Sequence, residues 1–257
     1  MVEHLETNDL LCNNQHGFRS GRSCLTQLLH HFDDVLEALM NNQYFDSIYL
    51  NYAKAFDKVD HKILLKKLNL YGIHPTLINW IDNFLSVRMQ GVIVNGHLSF
   101  LALIISGVPQ GTVLGPILFL IFINDIDLCI AESIIRSFAD DTRVSKPIGC
   151  EKDVSFLQNE LDKIILWSDN NNMTLHKDKF EFISYQHNRQ NYLLELPFVC
   201  EQFQYKVSDT TLLRPVEQLR DLGVTMSSDL SWSPYIYEIT GKARQKAAWV
   251  LAVFRSR

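Results

Sequence analysis

Two adjacent acidic residues, Asp140-Asp141, break the apolar runs Ile134 to Phe138 and Thr142 to Ser145. Both runs read as strands, so the carboxyls fall at a hairpin turn. Side chains alternate between the two faces of a strand, which lets one carboxyl aim fully into a shared site. An acidic turn is ordinary by itself, because Asp is a favoured turn residue. A second polar group gives it chemical meaning: Asn51 follows the strand-like Phe45 to Leu50, and Asp57 stands where the chain turns toward a helix. Two strand ends bearing oxygen donors on one sheet would form a site for Mg²⁺, which takes hard oxygen ligands.

The elements that must position these groups can be read from periodicity. Leu25, Leu28, Leu29, Phe32, Val35, Leu36, Leu39 and Met40 recur at helical steps and predict one apolar stripe on a helix running to about Asn41. Helices are expected from about Lys58 to Tyr71, stopped by Gly72, and from Pro75 to Val87, opened by its proline. Gln90 to Val94 and Leu98 to Ile105 flank Asn95-Gly96, a dipeptide that favours a type I′ hairpin turn. A loop, Ser106 to Gly111, precedes the apolar segment Val113 to Ile123, which is short for a bilayer span and reads as a buried helix. Val154 to Trp167 has helical spacing, and Phe180 to Tyr185 is strand-like. Helices mixed with hairpin strands imply an α+β fold, an antiparallel sheet with helices on one face.

With 257 residues and 47% hydrophobic content the chain builds a core, which excludes a disordered tail or a fibre. The net charge of −5 gives no overall basic field, so a nucleic-acid partner would have to be held by local patches. Cys12, Cys24, Cys129, Cys150 and Cys200 form neither a CxxC pair nor a zinc spacing, and reduced, intracellular thiols are the expectation. Glu3, Glu6 and Asp9 occupy the stretch where a leader peptide would be basic and then apolar, and no membrane association is expected.

Four ordered segments carry a family resemblance. Gln15-His16-Gly17-Phe18-Arg19-Ser20-Gly21-Arg22-Ser23, Tyr49-Leu50-Asn51-Tyr52-Ala53-Lys54-Ala55-Phe56-Asp57, Gly107-Val108-Pro109-Gln110-Gly111 with Gly115-Pro116, and Phe138-Ala139-Asp140-Asp141-Thr142 resemble the successive motifs of non-LTR retrotransposon reverse transcriptases of the LINE, jockey or CR1 type. The similarity continues through Leu157 to Trp167, Met173 to Lys179 and Asp221-Leu222-Gly223-Val224 to Trp232. It implies a right-hand polymerase palm and an RNA-directed DNA polymerase using Mg²⁺, an RNA template, a DNA primer and dNTPs. Partial fingers would span residues 1–45, the palm 46–235 and the start of a thumb 236–257.

By this resemblance Asp140 matches the metal-ligating carboxylate and Asp141 its catalytic neighbour. Phe56 matches the gate against a ribose 2′-hydroxyl, Gln110 the residue lying against the incoming nucleotide, and Lys179 a lysine near the triphosphate. Phe56 and Gln110 should then share the floor of one cleft. Arg19 and Arg22 resemble residues that contact template or nucleotide, through guanidinium groups suited to phosphate. Leu222 and Gly223 match the hairpin that grips the primer end. Lys242, Arg244, Lys246, Arg255 and Arg257 form an acid-free basic segment where the thumb begins. Read without the resemblance, Phe56 is a core aromatic, the Gln110 loop a turn and the basic residues a solvated face.

Three departures qualify it. Asn51 stands where the family has its first metal-ligating Asp, and an amide offers one neutral oxygen in place of an anionic carboxylate. His176 stands where the family usually has Asn. The fingers are expected to begin before Val2 and the thumb to continue past Arg257, so the chain reads as a truncated domain. Asp57 lies beyond Phe56 and is read as a cap for the helix at Lys58. Two classes of function therefore stand: a polymerase impaired at Asn51 and by truncation, or a catalytically dead remnant kept as a nucleic-acid- or protein-binding module. Oligomeric state and template choice leave no mark in the sequence.

Overall fold

The computed structural model describes residues 1–176, 179–186, 204–208, 211–213 and 215–255. In chain order it contains α1 (Val2–Thr7), α2 (Cys24–Met40), β1 (Tyr44–Leu50), α3 (His61–Leu70), α4 (Pro75–Leu85), the short strands β2 (Met89–Gln90), β3 (Ile93–Val94), β4 (His97–Leu98) and β5 (Ala102–Leu103), α5 (Leu114–Ile123), β6 (Ile134–Phe138), β7 (Asp141–Ile148), α6 (Glu151–Asn170), β8 (Glu181–Tyr185), β9 (Lys206–Ser208), β10 (Thr211–Leu212), β11 (Gln218–Asp221), β12 (Val224–Ser227) and α7 (Ser233–Arg255). Cys200 and Arg257 lie outside the described residues, as does the side chain of Arg255.

The central sheet is antiparallel in the order β6-β7-β1-β8. Its middle strand β1 has no solvent face: Tyr44, Ile48 and Leu50 join one core with α3 to α6, while Phe45 joins a second with α2, β8 and the β11–β12 hairpin. Helices thus cover both faces, against the one-face expectation. The physical reason is that β1 is apolar on alternate positions of either parity, and each face needs a cover. Its two buried polar residues find side-chain partners, Asp46 Oδ2 accepting from Tyr205 Oη at 2.6 Å and Ser47 Oγ accepting from Ser145 Oγ at 2.8 Å.

The α2 stripe is narrower than its periodicity suggests. Leu28, Val35 and Leu39 are buried with Gln27, His31 and Ala38, whereas Leu25, Leu29, Leu36 and Met40 remain exposed. Asp57 does not cap α3: that role falls to Asp60, whose Oδ1 accepts from Ile63 N at 3.0 Å. The helix starts later than expected because Ala55–Lys58 forms its own 3₁₀ turn. At the hairpin between β3 and β4, Asn95 and Gly96 both take positive φ, +50° and +81°, the geometry a type I′ turn requires.

Candidate active site

The β6–β7 pairing runs to Phe138 opposite Asp141, leaving Ala139-Asp140 as a two-residue turn. Asp140 therefore occupies the turn and Asp141 opens β7. On the other side of β7, Leu50 lies opposite Thr142, which brings Asn51 opposite Asp141 at the adjacent strand end. Asn51 and Asp141 line one cavity of about 120 Å³ with Tyr49, Arg143, Lys179, Asp221 and Leu222. The expected convergence of these strand ends on one antiparallel sheet is present.

Electrostatics at the turn favour a cation. Burial pushes the Asp140 carboxyl above its ordinary range; the Asp141 carboxyl is raised by burial and further by the charge of Asp140. Carboxyls whose ionised forms are disfavoured by burial gain from a nearby positive charge. With the Asn51 amide they make a set of hard oxygen donors, the chemistry Mg²⁺ takes. Among the described residues no trio of His, Cys, Asp and Glu is placed to hold a metal ion, and Asp140 is not part of the lining that Asn51 and Asp141 share. The oxygen donors at the two strand ends are two carboxyls and an amide, one charge fewer than three carboxylates would bring.

Main-chain bonds hold the neighbouring motif segments. Asn51 O accepts from His176 N at 2.8 Å and Ala53 N donates to Thr174 O at 2.9 Å, which carries the exposed Lys179 to the cavity rim. The Gly107 loop is fastened to the Ala55–Lys58 turn: Gly107 N donates to Val59 O at 2.8 Å and Val108 N to Phe56 O at 2.9 Å. Gly107 has φ +90°, and a Cβ there would approach Asp57 backbone atoms to 2.8 Å, so only glycine fits.

Phe56 is half-buried, its ring stacked on Phe119 at 4.2 Å and edge-on to Phe18 at 6.1 Å. Gln110 reaches Asp57 rather than Phe56, its Nε2 lying 3.3 Å from Asp57 Oδ1. Gln110 thus meets the Ala55–Lys58 turn at Asp57, the residue after Phe56, and neither Phe56 nor Gln110 lines the Asn51 cavity.

The structure gives Arg19 another occupation than nucleic-acid contact. Its guanidinium is nearly buried and bonds both oxygens of Glu6, at 3.1 and 2.6 Å, and the Cys12 carbonyl at 2.7 Å. It ties α1 to the following loop. Arg22 is half-buried and bonds the carbonyl and side chain of Asn13.

Leu222 and Gly223 form the turn of the β11–β12 hairpin with φ of +46° and +90°. That hairpin is anchored to the sheet by a pair sequence reasoning passed over. Asp221 forms an ion pair with Arg143, and their side chains are only 6% and 2% exposed. Arg143 also donates to Gln27 O at 3.2 Å, and Tyr49 Oη donates to Asp221 at 3.4 Å. Nothing local in sequence signals a bond between residues so far apart. Neither strand marks its partner, since β7 also carries Thr142, Ser145 and Lys146 and β11 also carries Gln218 and Arg220.

A four-stranded antiparallel sheet with paired carboxyls on a hairpin turn, opposite the end of its central strand and backed by helices, is the palm of a right-hand polymerase. Solved telomerase structures share this fold. The chain is similar to telomerase from Candida albicans in complex with a TWJ fragment of telomeric RNA, with TM-score 0.57 and 13% identity over 90% of this chain and 37% of that one. For the Candida tropicalis complex the TM-score is 0.59 at 10% identity, covering 90% and 35%.

Residues 1–226 match the family described as "Reverse transcriptase (RNA-dependent DNA polymerase)", and the chain belongs to it. It is 30% identical over 249 residues to the "RNA-directed DNA polymerase from mobile element jockey" of Drosophila melanogaster, covering 93% of this chain and 26% of that protein. Its Drosophila funebris counterpart is 29% identical, with 98% and 28% covered. The "Probable RNA-directed DNA polymerase from transposon X-element" of Drosophila melanogaster is 26% identical, with 98% and 27% covered. The chain spans about a quarter of the length of these relatives. No helix among the described residues is long and apolar enough to cross a membrane.

Proposed function

We propose that this chain is the palm of an RNA-directed DNA polymerase in which Asn51 slows catalysis. What supports the reading above all is that Asn51 and Asp141 share one cavity with Leu222, at the turn of the hairpin from which a primer end would be held. In the reaction, the primer 3′-oxygen bonds to the α-phosphorus of a dNTP, the bond to pyrophosphate breaks, and the hydroxyl proton leaves to solvent. Mg²⁺ bound at Asp140 and Asp141 would lower the pKa of that hydroxyl and offset charge on the departing pyrophosphate.

The chain's own residues supply position. Lys179, exposed at the rim, is suited to the triphosphate. Phe56, held by its stack on Phe119, is the group to exclude a 2′-hydroxyl, and Gln110, bonded to the neighbouring Asp57, would lie against the nucleotide. RNA template and DNA primer would be met by Arg22 and by Lys242, Arg244 and Lys246 of α7, with residues 1–45 as partial fingers, 46–235 as palm and 236–257 as the thumb's start. Such chemistry belongs in the nucleus or cytoplasm.

A second reading, a binding module without turnover, is favoured by the missing carboxyl at Asn51. The discriminating experiment is dTTP incorporation on poly(rA)/oligo(dT), with Mg²⁺ and with Mn²⁺, by the natural chain and by Asn51→Asp. The variant restores an anionic ligand in nearly the same volume, and incorporation should rise by as much as roughly 10⁴-fold, the scale of repairing one member of a catalytic unit. Equal incorporation by both would remove Asn51 from the metal site. Template–primer binding by both with incorporation by neither favours the binding module.

A further inference from the structure

Strand β6 lies at the edge of the sheet, and the segment before α2 runs along its free side. Ser137 N donates to Asn14 O at 3.0 Å and His16 N donates to Ser137 O at 2.8 Å, so residues 14–16 extend the sheet by a short parallel bridge. Between these two bonds Gln15, 5% exposed, turns its side chain onto the carboxylate turn. Its Oε1 accepts from Ala139 N and from Gly17 N, both at 2.8 Å, and its Nε2 donates to Ala139 O at 3.2 Å. One side-chain amide therefore occupies both main-chain polar groups of Ala139, the residue immediately before Asp140.

Ala139 needs such a clamp. Its φ is +56°, a left-handed conformation that a residue with a Cβ adopts only at some cost and keeps only where its surroundings enforce it. Gly17 completes the contact, since a Cβ there would come within 2.3 Å of Ala139 N. The choice of a neutral amide also has a reason. A carboxylate could accept both N–H groups but could not donate to the carbonyl, and it would add a third negative charge beside Asp140 and Asp141.

We propose that Gln15 is a positioning residue for the metal site: it fixes the Ala139 turn and through it the direction in which Asp140 is presented. The consequence for catalysis rests on the polymerase reading above, whereas the clamp can be tested without turnover. The experiment uses ¹⁵N-labelled natural chain, Gln15→Met and Gln15→Glu, reading amide hydrogen exchange and the Mn²⁺ concentration that broadens the amide signals of Asn51, Asp140 and Asp141. In the natural chain the Ala139 amide should exchange as slowly as those of Ile48 and Val144.

Gln15→Met keeps the volume but makes none of the three bonds. It should lose protection at the Ala139 and Gly17 amides and require roughly 10- to 100-fold more Mn²⁺, the usual scale for a partner that orients a ligand. Gln15→Glu retains both accepted bonds and should recover most of the Mn²⁺ response, which a residue needed only for folding would not produce. A natural-chain Ala139 amide that exchanges like an open turn overturns the proposal, and this measurement stands even if Gln15→Met does not fold. A folded Gln15→Met that responds to Mn²⁺ as the natural chain does also overturns it. If Mn²⁺ broadens nothing in the natural chain, the metal assignment fails, while the exchange pattern still decides whether Gln15 holds the turn.

Discussion

Replacing Asp221 with Leu should cost far more than an ion-pair count suggests. The Arg143 guanidinium is 2% exposed and its Nε already lacks a hydrogen-bond partner. With Asp221 gone it would keep the Gln27 carbonyl at 3.2 Å and the Tyr49 ring 5.9 Å away, neither of which carries a compensating charge. Breaking a buried pair on one side costs about 3–5 kcal/mol, because the remaining charge is stranded away from water. That is a large share of the roughly 5–15 kcal/mol that keeps a domain folded. Removing both partners, as Arg143→Met with Asp221→Leu, takes away the stranded charge, and such exchanges are often neutral or stabilising. Urea unfolding of the natural chain, both single variants and the double variant, followed by tryptophan fluorescence, measures the coupling. The double variant should stand within about 1 kcal/mol of the natural chain while Asp221→Leu alone falls well below it. A single variant costing under about 1 kcal/mol, or a double variant as unstable as the sum of the singles, would refute the argument.

Glu160 accepts three backbone N–H groups from residues 131–133 at 2.7 to 2.9 Å; burial raises its carboxyl, but these bonds outweigh it and leave it below its ordinary 4.5. A depressed carboxyl stabilises the fold above 4.5 and loses that contribution as pH falls through its folded value, so acid titration of stability should show a step below 4.5 that Glu160→Gln lacks. His31 is held well below 6.5, chiefly by burial and then by the charges of Arg143 and Arg136. The unfolded chain takes up that proton first, and stability should decline as pH drops from 6.5, less steeply in His31→Phe when monitored by thermal melting. With Arg19 committed to Glu6 and Arg220 to Glu238, half-buried Arg22 and exposed Lys179, Arg244 and Lys246 are offered to phosphate, predicting a log K against log salt slope of about −2 to −4. Fluorescence anisotropy of a labelled RNA–DNA hybrid measures it, and a slope near zero would contradict an electrostatic footprint.

What was legible in the sequence was local. The acidic turn, the Asn95-Gly96 hairpin and the Leu114–Ile123 helix each follow from a few adjacent residues whose conformational preferences agree. The ends of β1 and β7 could be paired because the motifs at Asn51 and Asp140 have a familiar order. Coverage of the sheet was less legible, since periodicity says which side chains of α2 are apolar but not which find a partner. Leu25 and Leu36 match the stripe as well as Leu28 does, yet only Leu28 is buried. Arg19 looked free because its partner sits on α1, a six-residue helix without a strong periodic signal. The Asp57 cap was misplaced because the 3₁₀ turn at Ala55–Lys58 delays α3 to His61, where Asp60 is the acidic residue in position. Gln15 on Ala139 and Arg143 on Asp221 are long-range polar pairs, and no local pattern encodes them.

The central place of β1 governs the order in which this protein can take shape during synthesis. Both hydrogen-bonding edges of β1 are filled by strands that come much later, β7 roughly a hundred residues on and β8 later still. As the chain leaves the ribosome, α2 and β1 emerge with apolar surface on both strand faces and no strand to pair with. Such long-range closure is slow, and the waiting edge is open to other chains. Only after β7 docks can the segment at Gln15 find the turn it holds. Asn51, made early at the end of β1, therefore waits for β7 before it stands beside Asp141.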